Sequence, residues 1–135
     1  MIYFDTNILV HSVINQDDKK RELAQQLISS SIKEKVFVLS TLSIQEFVFV
    51  LSKLNVENKV IYNRANFFTQ FIKHNIDNYI VIKAVSLCSS RKNYRLINDT
   101  VHLFFAERYC NKLLTFDQDF KHFSSFSEIN VEILK

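Results

Sequence analysis

Short apolar runs and longer amphipathic segments alternate along this chain of 135 residues. The short runs are rich in β-branched and aromatic residues, which favour strands. The longer segments carry apolar residues three and four positions apart, as at Leu23, Leu27 and Ile28, and this spacing is typical of amphipathic helices. The pattern predicts four strands, at Ile2–Phe4, Val36–Leu39, Lys112–Phe116 and Asn130–Leu134.

Helices are predicted in the segments between these strands. Because strands alternate with helices, the fold class should be α/β, with a parallel or mostly parallel sheet covered on both faces. Tyr79–Ile82 is apolar and rich in residues that favour strands, so it is expected as a short extended segment. The predicted helices are Asp17–Lys35, Ser43–Leu54, Val56–Asn75, Lys83–Ser90 and Asn98–Cys110.

The length of the chain predicts a single domain over residues 1–135, without a linker, repeat or low-complexity segment. No apolar run approaches the ~18 residues that a membrane-spanning helix requires. The first residues also lack the basic region of a signal peptide. We therefore expect no membrane partner. Because Cys88 and Cys110 form no CxxC pair, we expect reduced thiols and a cytoplasmic location.

Glycine and proline are absent from the chain. Glycine-rich phosphate loops and the dinucleotide-binding fingerprint both need glycine, so neither class of site is present in recognisable form. Residues with positive φ should then be mostly asparagine, the residue that tolerates this conformation best after glycine. Asn55 and Asn111 are among the candidates.

Four acidic residues are expected at one edge of the sheet. Asp5 and Asp117 follow predicted strands, and Glu46 and Asp99 should lie in the first turns of helices. In such folds the active site lies beyond the carboxyl ends of the strands. Clustered carboxylates repel unless some are protonated or a cation lies among them, and Mg²⁺ or Mn²⁺ prefers oxygen ligands. The pattern is therefore typical of phosphodiester hydrolysis by metal-activated water.

Each of these acids also has a structural role open to it. Asp5 can cap a turn, and Asp117 can simply end a strand. Glu46 fits a capping box with Ser43, and Asp99 fits a helix N-cap. Taken singly, each residue leaves both interpretations open.

The overall charge is +3, from 17 basic and 14 acidic residues. By itself this is a weak indication of nucleic-acid binding. If four of the acids belong to one pocket, the remaining surface is more clearly basic, as a protein that binds a phosphate backbone requires.

Four segments resemble the motifs of PIN-domain ribonucleases in order and spacing. They are Y-F-D-T-N-I-L-V (3–10), S-I-Q-E-F-V (43–48), N-D-T-V-H-L-F-F-A (98–106) and L-L-T-F-D-Q-D-F (113–120). The D-T-N opening and the T-x-D-x-D-F ending are most similar to the VapC toxins of bacterial toxin–antitoxin pairs. The joint occurrence of the four acids at this spacing favours a site over four separate structural roles.

The resemblance implies a PIN-like three-layer α/β/α fold with a quartet of acids. Asp5 and Asp99 would be the principal ligands of Mg²⁺, for which Mn²⁺ can substitute, with Asp117 nearby and Glu46 acting through water. It also implies an RNA substrate, commonly transfer RNA, together with homodimerisation and inhibition by a cognate antitoxin. These implications come from the family and not from spacing or composition.

Other residues have supporting roles under this resemblance. Asn7 and Thr115 match polar positions that steady the acids by hydrogen bonds. Asp119 is a peripheral second acid, for which a surface role is about equally open. Asn111 stands where the family usually has glycine before the T-x-D strand, and asparagine tolerates that conformation.

The basic and histidine residues around Asp99 are open to two interpretations. Arg91, Lys92 and Arg95 precede it and could contact the RNA phosphates beside the scissile one, or form a solvated basic surface. His102 follows it by three residues on the same helix face. A metal-ligand role is open to His102, but a packing role is favoured.

Competing functions are separated by the position and completeness of the acids. A phosphatase that uses F-D-Q-D-F as its DxD motif is not expected, because few residues follow Asp117 to supply the downstream groups of that chemistry. A PIN nuclease of ribosomal-RNA or messenger-RNA processing, without an antitoxin, stays as an alternative. A non-catalytic PIN binding module is a further alternative, although the presence of all four acids argues against it.

Overall fold

The computed structural model describes all 135 residues and contains one four-stranded sheet. Every pair of neighbouring strands is parallel, and the order is β2-β1-β3-β4. The strands lie within the four predicted runs, which confirms the α/β class and the parallel sheet. They are β1 (Ile2–Phe4), β2 (Phe37–Val38), β3 (Lys112–Thr115) and β4 (Asn130–Ile133).

Six α-helices cover the two faces of this sheet, so the molecule has the predicted three layers. Successive strand residues point to opposite faces. Phe4 and Leu114 pack into a core with α1 to α4, whereas Tyr3 and Leu113 pack into a second core with α5 and α6. None of the helices is long and apolar enough to cross a membrane. The helices are α1 (Thr6–His11), α2 (Asp18–Lys33), α3 (Thr41–Lys53), α4 (Asn58–Thr69), α5 (Asn78–Ser90) and α6 (Ile97–Tyr109).

Helix α1 was not predicted, because its six residues are too few to show a helical period. Asp5 caps it, with the carboxylate accepting a hydrogen bond from the Thr6 amide. The chain therefore turns into a helix directly at the end of β1, and the capping carboxylate stays at the edge of the sheet.

The prediction of an extended segment at Tyr79–Ile82 is wrong, because these residues form the first turns of α5. Asp77 caps the helix by accepting a hydrogen bond from the Ile80 amide. Ile80, Ala84 and Leu87 lie on one buried face at helical spacing. Burial of this face outweighs the strand preference of the local sequence.

Asparagine takes only one of the positive-φ positions, which are Lys35, Asn55 and Lys92. Each follows the C-cap of a helix, in α2, α3 and α5 respectively, and each helix closes with the two backbone hydrogen bonds of a Schellman motif. These bonds hold the left-handed conformation whatever the side chain. Asn111 does not adopt it; its carboxamide oxygen instead accepts a hydrogen bond from the amino group of Met1 at 2.8 Å.

Candidate active site

The four acids line one pocket of about 230 Å³ at the edge of the sheet where β1 and β3 end. Asp5 directly follows β1, and Asp117 is the second residue after β3. Asp99 lies in the first turn of α6, as expected. Glu46 lies in the second turn of α3 and not in the first, because that helix begins at Thr41. Topology thus brings together four acids that are distant in sequence.

The hydroxyl of Thr115 connects several of these groups. It donates to Asp5 Oδ2 at 2.7 Å, and it accepts hydrogen bonds from the Asp117 amide at 2.9 Å and from Asn7 Nδ2 at 3.2 Å. Asn7 Oδ1 in turn accepts from the Phe116 amide at 3.2 Å. This arrangement is possible because β1 and β3 are neighbours in parallel register. Thr115 thus bonds Asp5 directly, whereas Asn7 lines the same pocket and is connected to the acids through Thr115.

Glu46 accepts three hydrogen bonds from side chains of other elements. Thr6 Oγ1 and His102 Nε2 both donate to Oε1, at 2.7 and 2.5 Å, and Asn98 Nδ2 donates to Oε2 at 3.1 Å. His102 is 1% exposed and lies on the same helix as Asn98. The glutamate is thus held by α1 and α6 together.

The capping role considered for Glu46 is wrong. The capping box of α3 consists of Ser40 and Ser43, whose side chains bond each other's backbone amides. An N-cap role for Asp99 is also wrong, because Leu96 occupies the cap of α6. These two carboxylates are therefore free of the structural roles that the sequence left open.

The capping roles of Asp5 and Asp117 coexist with their positions in the pocket. Asp5 caps α1, and Asp117 caps a short 3-10 turn by accepting a hydrogen bond from the Asp119 amide at 2.8 Å. Asp119 itself is exposed and does not line the pocket. Its contact with the site is through its backbone alone.

The pocket carries an excess of negative charge. Burial raises the pKa of Asp5 above its ordinary value. Burial, and then the charges of Asp5, Asp117 and Glu46, raise the pKa of Asp99 to about 7. Burial alone would also raise the pKa of Glu46, but its hydrogen bonds, above all the one from His102, lower it. Clustered carboxylates favour protonation in this way unless a cation lies among them.

The donor set of this pocket fits a hard divalent ion. Four carboxylates from four elements converge on one small cavity, and such ions prefer carboxylate oxygen. One donor atom each from Asp5, Glu46 and His102 lies within 4.8 Å of the others. A cation at this place would relieve the repulsion that raises the pKa of Asp99.

The chain matches a known family over most of its length. The family model of the PIN domain matches residues 2–125. The chain belongs to the PIN-domain family. The family inferred from the four sequence motifs is thereby confirmed, and PIN domains are generally metal-dependent nucleases. No curated protein matches the chain.

Solved structures with the same fold include three complexes. "FitAB bound to IR36 DNA fragment" has a TM-score of 0.70 at 18% identity, and the match covers 98% of this chain and 94% of that one. VapBC2 from Rickettsia felis, bound to a DNA fragment from its promoter, has a TM-score of 0.66 at 16% identity, with 100% of both chains covered. FitAcB from Neisseria gonorrhoeae has a TM-score of 0.61 at 16% identity, covering 97% and 96%. At these identities the likeness concerns the PIN fold alone.

Three basic residues and two histidines complete the description of this region. Arg91, Lys92 and Arg95 are exposed in the segment that joins α5 to α6, and none of them lines the pocket. His11 does line it, and its Nδ1 is buried without a partner. No sequence signal identified His11 as part of the pocket, because the short helix that carries it was not predicted. For His102 the spacing from Asp99 was a signal, but its contact with Glu46 depends on long-range packing.

Proposed function

We propose that this PIN-domain protein is an endoribonuclease that depends on Mg²⁺ or Mn²⁺, and that it is the toxin of a VapBC-type toxin–antitoxin pair. The observation that carries the nuclease proposal is the convergence of Asp5, Glu46, Asp99 and Asp117 on one pocket. The toxin proposal is supported by the sequence motifs, and by the fold shared with the VapBC2 and FitAB complexes.

The four acids have different proposed roles in metal binding. Asp5 and Asp99 are the principal ligands that the family resemblance implies, and Asp117 lines the same pocket. Asp5 is buried and Asp99 is half-buried, and burial and then the charge of Asp5 raise the pKa of Asp99. Glu46 is held by three donors and keeps one acceptor site, which suits an outer position that acts through water. A bound divalent ion would supply activated water and neutralise charge on the phosphodiester.

RNA is the proposed substrate, with transfer RNA as the class that the VapC resemblance implies. Arg91, Lys92 and Arg95 are proposed to contact phosphates beside the scissile one, since they are exposed on the segment that leads into α6. A cognate antitoxin and a second copy of the chain are the proposed protein partners.

A growth assay in a bacterial host tests the toxin role: expression of the wild type should arrest growth, and expression of Asp5→Asn should not.

The nuclease proposal is tested by incubating the purified protein with total cellular RNA. Wild type with Mg²⁺ or Mn²⁺ should yield discrete fragments, and sequencing their ends identifies the RNA and the cut. EDTA or Asp5→Asn should abolish cleavage, because the amide keeps the shape but removes the charge that holds the ion. Asp119→Asn is the matched control, since that acid lies outside the pocket. Intact RNA in every lane, or equal cleavage by Asp5→Asn, would contradict the proposal.

Replacing Arg91, Lys92 and Arg95 by alanine in this assay should raise KM and leave kcat unchanged.

A further inference from the structure

Behind Glu46, a row of buried hydrogen bonds runs away from the pocket into the second core. His102 contacts Glu46 through Nε2 and the phenolic oxygen of Tyr3 through Nδ1, both at 2.5 Å. The Tyr3 oxygen in turn contacts Ser40 Oγ at 2.8 Å and Ser43 Oγ at 3.0 Å. Tyr3, Ser40, Ser43 and His102 are all at most 1% exposed. We refer to these four residues as the Tyr3–His102 relay.

The direction of the first hydrogen bond is fixed by chemistry. A carboxylate has no proton to give, so His102 Nε2–H donates to Glu46. No polar side-chain atom of the relay is left without a partner, since His11 Nδ1 is the sole such buried atom in the chain. A fully satisfied buried network holds its members in a single arrangement.

A packing role alone does not account for the relay. Apolar side chains of similar volume would fill the same space between α6 and β1 without the cost of burying polar groups. Instead, four polar residues from three parts of the chain form a row of hydrogen bonds, and its last member, His102, contacts one oxygen of Glu46. That oxygen also accepts from Thr6, so both partners act on Oε1 and leave an acceptor site on Oε2.

We propose that His102 is a positioning residue for the metal site, which fixes the Glu46 carboxylate and is itself fixed by Tyr3. This inference rests on the proposed function, since it takes Glu46 as part of the metal site. Direct ligation by His102 is disfavoured, because both ring nitrogens already have hydrogen-bond partners. Groups that hold metal-site side chains in place in this way are worth about 10–100-fold in metal affinity or activity.

The test compares two replacements of similar size, His102→Leu and His102→Gln. Glutamine supplies one donor and one acceptor and can take the place of the ring between Glu46 and Tyr3, whereas leucine supplies neither. Binding of Mn²⁺ alone is followed by electron paramagnetic resonance, without RNA. His102→Leu should weaken Mn²⁺ binding by about 10-fold or more, and His102→Gln should stay within about threefold of wild type. In the RNA assay, His102→Leu should lower kcat and leave KM within about twofold, since it touches no substrate group.

Several results would overturn the proposal. These are wild-type Mn²⁺ affinity in His102→Leu, equal losses in the leucine and glutamine variants, or a nitrogen directly coordinated to Mn²⁺ in the pulsed spectrum. If His102→Leu does not fold, Tyr3→Phe decides: it removes only the phenolic oxygen, and unchanged Mn²⁺ affinity would then reject the relay. A wild type that binds no Mn²⁺ would instead contradict the proposed function itself. If the wild type binds Mn²⁺ and the variants bind it equally well, only the positioning role is contradicted.

Discussion

At the scale of single residues, the Thr115 hydroxyl connects three groups at the edge of the pocket. It gives its only proton to Asp5 and accepts from the Asp117 amide and from Asn7. Thr115 is fully buried, so water cannot replace these bonds. Loss of the hydroxyl would leave the Asp5 carboxylate and the Asp117 amide each short of one partner. Such losses are costly because a buried polar group then keeps its full desolvation penalty.

Thr115→Val is therefore expected to destabilise the fold by about 1–3 kcal/mol, although valine has nearly the same shape. It should also weaken Mn²⁺ binding, because Asp5 and Asp117 lose the group that orients them. Thr115→Ser keeps the hydroxyl and is the control. Urea unfolding measures the effect on stability. A valine variant as stable as the serine variant would show that the hydroxyl does not hold the site together.

Residues of this pocket could be predicted from the sequence only where they belong to local motifs. Asp5, Asp99 and Asp117 follow strands or begin helices, so their approach to one edge follows from topology. The partners of Glu46 could not be found in this way, because they depend on how α1, α3 and α6 pack together. His102 was accordingly assigned to packing, although it contacts Glu46 directly.

At the scale of elements, α5 shows how burial decides between two conformations of one sequence. In an extended segment, Ile80 and Ile82 would point to the same face, since side chains alternate. In the helix they point to different faces, and Ile80 is 1% exposed whereas Ile82 is 65% exposed. The cap at Asp77 fixes where the helix starts. Local strand preference is therefore a poor guide for this segment.

The two isoleucines provide a direct measurement of that difference. Ile80→Ala should cost about 2–5 kcal/mol, because it opens a cavity in the second core. Ile82→Ala should change stability by less than about 0.5 kcal/mol, since its side chain is in solvent. Both values come from urea unfolding of the same protein at one pH. Equal losses in the two variants would point to the shared face of an extended segment and contradict the helix.

At the scale of the whole molecule, the alternation of strands and helices was enough to predict the layers and the parallel sheet. The order of the strands could not be predicted from the sequence, because it depends on which helix faces pack against which face of the sheet. Helix ends were also uncertain, as Lys35 and Lys92 show by taking positive φ in place of asparagine. In both cases the deciding interactions are hydrogen bonds and contacts that become visible only in three dimensions.

The same topology that builds the pocket also makes the metal-free protein sensitive to pH. Burial and neighbouring carboxylates raise the pKa of Asp99 from 3.8 to about 7, so the folded state binds this proton more tightly than the unfolded state. Stability from this group is therefore present at low pH and lost as the pH rises from about 4 to 7. Burial opposes protonation of His102, but Tyr3, Glu46 and Asp5 raise its pKa well above its ordinary value of 6.5. The stability that His102 protonation contributes is complete below pH 6.5 and is lost at higher pH. His102 and Asp99 therefore both make the folded state less stable as the pH rises.

Without metal, the melting temperature is therefore expected to fall by about 3 °C or more between pH 5.5 and 7.5. Mn²⁺ at pH 7.5 should reverse the loss, by about 2.7 kcal/mol at a hundredfold excess over its dissociation constant. At pH 5.5 the gain should be smaller, because protons compete for Asp99. Asp99→Asn should flatten the pH dependence and reduce the effect of Mn²⁺, since the amide cannot ionise. Thermal melts of wild type and Asp99→Asn, with EDTA and with Mn²⁺ at the two pH values, measure these changes in melting temperature. A variant whose melting temperature follows the wild type at both pH values would show that the repulsion among the acids is not centred on Asp99.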